Sequence, residues 1–235
     1  MKYINNRKIE PSQLTEYRET TPNATYDGLG TDVKDIIRDS LLDEQGYICA
    51  YCMCRIDNRS ECTIEHYISQ RHHSESPFSE DEHKRQSLLY SNMSGVCKNN
   101  SEHCDKHRGN TPLEILDPHK PSCEELIPYD FNGHIKPSGR DIEKVQKDIC
   151  TLGLDCDKLV EFRRTVWDEI WGRFKKEHER KDWSRELFLE YAQKYRTKER
   201  KRHDISRFHA YCNFIVWGFE YYAENYKQYK HCIAK

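Results

Sequence analysis

Between residues 49 and 70 the chain reads CAYCMCRIDNRSECTIEHYISQ, four cysteines followed by an acid–histidine pair. Cys49 and Cys52 are two residues apart, the spacing of a knuckle whose amides point at a metal-bound thiolate. A closed tetrahedral site needs a second pair. Cys97 and Cys104 supply it, with six residues between them and 44 residues between the pairs. That gap is longer than a zinc ribbon uses, so something is inserted. Cys54 and Cys62 compete for the same role but read better as small buried residues. The scattered Cys123, Cys150, Cys156, Cys212 and Cys232 read as core cysteines. The insertion carries Glu65–His66 and Asn92, and Asp105 follows the last cysteine of the set. A neutral imidazole with an ordinary pKa of about 6.5 suits a general base, and a carboxylate suits a hard cation.

The elements that must position these residues read as follows. Residues 1–30 are polar and broken by Pro11, Pro22, Gly28 and Gly30, which predicts an extended arm. Thr31 opens a helix with Val33, Ile36, Ile37 and Leu41 on one face and Gly46 as its stop. Strand-like patches at Tyr47–Ile48 and Thr63–Ile64 flank tight turns. Residues 74–86 read as a charged surface loop or short polar helix, and His72, His73 and His83, in or beside this charged stretch, are expected to be solvated. Asn132–Gly133 signals a hairpin between short strands. From about Arg140 the periodicity is helical: Leu159, Phe162, Val166, Ile170 and Phe174; then Trp183, Leu187, Tyr191 and Tyr195; then Ile205, Phe208, Cys212, Ile215, Phe219 and Tyr222. The expected fold class is α+β, a small zinc-stabilised core at 31–138 followed by an α-helical half at 139–235 that docks a partner or nucleic acid.

The ordered set of four cysteines, Glu65–His66 and Asn92 resembles the HNH nucleases over residues 45–110. That family has a ββα-metal site, often held by a four-cysteine zinc. A closer resemblance lies in GYICAYCMCRI, TIEHYISQ, residues 90–96, HCDKHRGN, NGHI and LGLDCDKLVEFR. These are similar to the HNH partner protein of Septu-type antiphage systems, which also accompanies some retrons, over most of the chain up to Arg163.

The resemblance implies a metal-dependent endonuclease acting on DNA, or on RNA such as tRNA, as effector of a defence complex. It implies an ABC/SMC-like ATPase partner and, for the retron-associated members, a retron reverse transcriptase–msDNA complex. Residue by residue, it makes His66 the base and Asp105 a ligand of catalytic Mg2+ or Mn2+. Glu65 becomes a second ligand or an orienting group, and Asn92 holds the loop that presents His66. His103 and His107 remain alternatives for the metal. If a helix begins near Cys104, Asp105 and His107 cannot share a face. Structural Zn2+ falls to Cys49, Cys52, Cys97 and Cys104. Two positions depart from the family: Ser69 stands where proline is common, which leaves the hairpin less rigid, and Asp105 stands where histidine is common.

Lys106 and Arg108 are candidates to clamp phosphate, or equally ordinary surface charge. The run KYRTKERKRH, with Arg200, Lys201 and Arg202 at its centre, is the best basic patch and suits either a phosphate backbone or a solvated helix end.

The bulk composition limits the remaining classes. A net charge of −2 gives no global field for nucleic acid, so any such contact is local. Aromatic residues at 11% argue against disorder despite 33% charged residues. No apolar run reaches bilayer length, and the N-terminal residues lack the apolar core of a signal peptide. Eleven cysteines then suit metal binding in a reducing cytoplasm. No H-E-x-x-H motif and no deaminase pair H-x-E with P-C-x-x-C is present. The competing readings are a nuclease, an inert zinc-stabilised binding module, and an adaptor docking an ATPase.

Overall fold

The computed structural model describes residues 1–4, 10–72, 76–98, 102–179, 183–200 and 205–229, with the backbone alone for Arg200 and Tyr229. The arm expected at 1–30 instead contains a helix, α1 (Ser12–Thr20), with Leu14 fully buried. Leu14 and Leu29 are buried against Ile37 and Leu41 of the next helical segment, with Tyr17 and Tyr26 packed beside them, in a stretch whose polarity had suggested extension.

Helix α2 (Thr31–Gln45) runs as its periodicity requires, and Gly46 ends it at φ 61°, a left-handed conformation that costs glycine nothing. The chain then turns through the cysteine knuckle into β1 (Cys62–His66), followed by α3 (Glu80–Ser87) and β2 (Met93–Cys97). Strands β1 and β2 pair antiparallel, with Cys62 opposite Cys97, Glu65 opposite Ser94 and His66 opposite Met93. Two short helices follow, α4 (Asp105–Arg108) and α5 (Ser122–Glu125). With α3 in the connection between the strands, the four-residue helix α4 is the next described element after β2, with seven residues between them. The hairpin's α2 side is closed by Ile64 and Met93 against Leu14, Leu29, Ile37 and Leu41.

The predicted turn at Asn132–Gly133 forms: the Asp130 amide donates to the His134 carbonyl at 2.9 Å, and Tyr129 bridges Ile135. Helices α6 (Ile142–Thr151), α7 (Asp157–Glu177), α8 (Arg185–Arg196) and α9 (Cys212–Glu224) carry the second half. Between α8 and α9 lies a short antiparallel ribbon, β3 (Glu199–Arg200) and β4 (Ser206–Arg207). It interrupts the helix expected to run from Ile205, which begins only at Cys212. The Phe208 amide donates to the Gly46 carbonyl, so this segment straps the end of α2 instead of lengthening α9.

On α7 the buried stripe is Leu159, Arg163, Trp167, Ile170 and Phe174, while Phe162 is exposed. Arg163 takes the inward place because its guanidinium donates to the carbonyls of Gly133 and Leu154. On α9, Phe214 and Phe219 are buried, Trp217 and Tyr222 half-buried and Tyr221 exposed. A Cβ at Gly218 would run into the Trp167 indole, so glycine there admits the close approach of α9 to α7. A single hydrophobic cluster extends from the cysteine knuckle to Phe174, Phe188 and Phe219.

Candidate metal centre and hairpin site

Cys49 and Cys52 come from the turn after α2, Cys97 from the end of β2, and Cys104 from the residue before α4. All four sulfurs lie within 4.8 Å of one another and all four residues are buried. The pairs Cys49–Cys104 and Cys52–Cys97 are each 3.7 Å apart. Tetrahedral ligands about 2.3 Å from a zinc ion sit about 3.8 Å from each other, so donor set and spacing both fit a tetrahedral metal ion. Among the described residues this is the one group of three or more such side chains whose ligand atoms converge.

Cys54 is half-buried against Cys49, Cys52 and Cys97 but is not part of the converging set. Cys62, Cys123 and Cys212 are buried as expected, whereas Cys150 is exposed and Cys156 half-buried, which corrects the reading of both as core residues. Cys232 lies outside the described residues.

His103 turns toward this cluster, its Nδ1 3.2 Å from Cys104 Sγ and 4.0 Å from Cys97 Sγ. His107 faces the other way and bonds the Thr151 carbonyl at 3.0 Å. Of the three alternatives for a catalytic ion, only Asp105 has its carboxyl beside Glu65. The Cys104 amide donates to the Leu152 carbonyl at 2.7 Å, and Cys104 adopts φ 60°. The same residue that joins the sulfur cluster thereby sets the start of α4, and with it Asp105.

Glu65 is 6% exposed, with Arg108 2.6 Å and the Tyr51 hydroxyl 3.2 Å from its Oε1. Arg108 also donates to the carbonyls of His66, Tyr67 and Thr111. It is therefore a buried structural partner of Glu65, which corrects its assignment as a phosphate clamp. Lys106 is exposed. Burial pushes the Glu65 carboxyl up to about 8, and the Asp105 carboxyl adds to the rise against the pull of Arg108. Desolvation outweighs the ion pair here. A divalent cation between Glu65 and Asp105 would reverse both upward pressures.

Adjacent strand residues point to opposite faces, and His66 is directed away from that carboxyl pair. Its Nε2 lies 3.0 Å from the Ser87 carbonyl and its Nδ1 3.0 Å from the Gln70 amide nitrogen. Tyr26 packs edge-on with ring centroids 4.6 Å apart. Burial holds its pKa down to about 4, so the imidazole is neutral at ordinary pH.

Asn92 accepts from the Ile68 amide at 2.8 Å and donates to the Ile68 and Gln86 carbonyls. The side chain thus stitches the segment that follows His66. Ser69 does not loosen this segment: its hydroxyl donates to the Arg71 carbonyl, and its own carbonyl accepts from His83 Nδ1 at 2.5 Å. His83 is accordingly 1% exposed and not solvated as expected, while His72 is exposed and His73 lies outside the described residues. Hydrogen bonding performs the stiffening that a proline would otherwise supply.

Tyr51, Arg108, Ser87, Gln70 and Tyr26 were not marked by spacing. Nor was a chain on the Glu65 face, in which Ser94 Oγ lies 3.1 Å from His119 Nε2 and His119 Nδ1 3.3 Å from Asp117. The register pairing of Ser94 with Glu65 is the one signal that could have found it, and register is not visible in sequence alone.

Where it is described, the basic run lies at the surface, and two of its cations are engaged by neighbouring segments. Lys198 donates to the terminal carbonyls of α2 at Asp43 and Glu44, and Arg196 pairs with Glu220. The Arg200 side chain, Lys201 and Arg202 lie outside the described residues. No helix is long and apolar enough to cross a membrane among the described residues. Compared with protein-family models the chain matches none, and it matches no curated protein sequence.

Proposed function

We propose that this chain is a metal-dependent HNH-type nuclease with a structural zinc. The observation that carries the reading is the order β1–β2–α4, with Glu65–His66 at the end of the first strand and Asp105 opening the helix against Glu65. Asn92 braces the segment after His66, and the four cysteines bracket the whole.

Zinc belongs with Cys49, Cys52, Cys97 and Cys104, where it ties the knuckle, the hairpin and α4 together. Mg2+ or Mn2+ belongs with Asp105 and Glu65, where it would neutralise charge on a phosphodiester. His66 is the base. Its Nε2–H is anchored on the Ser87 carbonyl, which leaves the lone pair on Nδ1 to take a proton from water. Arg108 and Tyr51 fix the orientation of Glu65. The effector role, the ATPase partner and its possible retron context are part of the same proposal and rest on the resemblance of the cysteine and Glu–His motifs.

One observation favours a second reading, an inert adaptor: His66 is only 4% exposed and both its nitrogens are bonded. The deciding experiment is incubation of the purified chain, alone and with a co-purified partner ATPase, with plasmid DNA and total RNA in Mg2+ or Mn2+. His66→Ala is expected to lower cleavage at least about a hundredfold, the usual contribution of a positioned base. Equal cleavage by the folded variant would leave only the adaptor reading.

A further inference from the structure

The two partners of His66 determine its tautomer without any need to see hydrogens. The Ser87 carbonyl only accepts, so Nε2 carries the proton; the Gln70 amide nitrogen only donates, so Nδ1 carries the lone pair. The basic nitrogen of the proposed base is thus already occupied, by a donor four residues further along the chain. Tyr26 packs perpendicular to the imidazole with ring centroids 4.6 Å apart.

We propose that Gln70 is a positioning residue that holds His66 closed, and that His66 accepts a proton from water only when the Gln70 side chain turns away. This rests on the nuclease reading for its consequence, but not for its geometry. The backbone on either side of Gln70 is fixed. Asn92 holds Ile68 in both directions, and the Ser69 hydroxyl holds the Arg71 carbonyl. Gln70 itself is half-buried and is followed by the exposed Arg71 and His72. Rotation about the side-chain bonds of Gln70 alone therefore frees Nδ1, with no rearrangement of the loop. Its amide is then released to water while the Nε2–H anchor on Ser87 stays in place. The closed form is the one adopted by the isolated chain, so its nuclease activity is restrained by a single hydrogen bond at the base.

Carbethoxylation by diethyl pyrocarbonate tests the gate, because the reagent attacks the unprotonated imidazole nitrogen. Trypsin releases residues 60–71 as SECTIEHYISQR, in which His66 is the one histidine, and exposed His72 on the next peptide is the internal reference. In the intact chain, Gln70→Ala is expected to raise the His66 rate about fivefold or more relative to His72, the factor set by one hydrogen bond of ordinary strength. Gln70→Leu, which keeps the bulk without the donor, should raise it in the same direction. Cleavage by the chain without a partner should rise in both variants and vanish when His66→Ala is added. An unchanged or lower labelling rate in both folded variants overturns the gate, whatever cleavage does. A raised labelling rate with cleavage unchanged from an active wild type overturns the restraint. A raised labelling rate with no cleavage by any form, wild type and partner complex included, leaves the gate standing and removes the nuclease reading instead.

Discussion

Two sets of candidate ligands share the β1–β2 hairpin, and they are built in opposite ways. The cysteines come from three separate segments and converge on one point with their sulfurs within 4.8 Å. Glu65 and His66 are neighbours in sequence and diverge, one toward Arg108 and α4, the other toward Ser87 and α3. Convergence of four soft donors is what a scaffold ion needs, since the ion then supplies cross-links that the lean core lacks. Divergence of two adjacent side chains is what a strand imposes, so a working site at its end must gather the rest of its groups from elsewhere. Both sets are buried. Only the cysteine set is complete within itself.

The largest expected effect breaks the convergent set. Cys49→Ala or Cys97→Ala removes a ligand from a site whose apparent binding free energy is about 10–16 kcal/mol for structural zinc, and that free energy is also folding free energy. Either variant should be insoluble, or should lose its far-ultraviolet circular dichroism on mild treatment with chelator. Cys54→Ala should leave about one zinc per chain by mass spectrometry of the native protein. Loss of zinc from Cys54→Ala together with its retention in Cys97→Ala would show that the fifth thiol is a ligand and that the assignment is wrong.

Next is the divergent set, from its carboxyl side. Arg108→Met leaves Glu65 buried without its ion-pair partner, a change that costs about 3–5 kcal/mol in comparable settings. Because burial has already pushed the Glu65 carboxyl up to about 8, part of that cost is relieved by protonation. The double variant Arg108→Met/Glu65→Gln should therefore recover part of the stability in urea titration, the remainder being the carbonyls of His66, Tyr67 and Thr111 left without their donor. If the single variant unfolds at the same urea concentration as wild type, the pair does not hold Glu65 and the site geometry must be set by something else.

What the sequence shows of these two sets follows the same division. The four converging cysteines were legible because thiolates at knuckle spacing have few other uses, but the pairing of residues 62–66 with 93–97 was not, since neither the spacing nor the cysteine count sets a register. Asn92 was legible only through a family pattern, yet its side chain does reach the segment after His66. Arg108 was misread because a surface clamp and a buried ion-pair partner have the same residue type. The difference lies in α4, a single turn that rotates Asp105 toward Glu65 and buries Arg108 three residues later. His83 was misread for a similar reason: a charged sequence neighbourhood gives no sign that one imidazole of α3 points back at Ser69. On α7, period alone could not say that Arg163 rather than Phe162 faces inward, since the carbonyls of Gly133 and Leu154 that draw it there belong to distant segments. Periodicity locates helices. Side-chain hydrogen bonds to remote carbonyls decide their rotation.

The smallest expected effect concerns the imidazole side, and its sign separates it from the carboxyl side. His66 is held at about 4, below its ordinary 6.5, because burial disfavours the charged ring. Between those two values the unfolded chain binds a proton that the folded chain does not. Its contribution is therefore complete above about pH 6.5 and is lost as pH falls toward 4, by about 3 kcal/mol at 1.36 kcal/mol per pKa unit. Glu65 works in the opposite sense: with its carboxyl raised to about 8, the folded chain binds the extra proton, so stability falls as pH rises from about 4.5 toward 8. The two partly cancel in the wild type. The difference between wild type and His66→Gln, which fills much of the same space and does not titrate, isolates the imidazole. As pH falls from 7 to 4.5 in metal-free buffer, the urea midpoint of the wild type should decline relative to that of His66→Gln, in which Glu65 acts without the imidazole. Parallel slopes would place the ring in contact with water in the folded chain, and the contrast between a closed base and a closed metal centre would then be lost. A wild-type slope that is steeper only when Gln70 is intact would tie the buried state of His66 to the Gln70 contact itself.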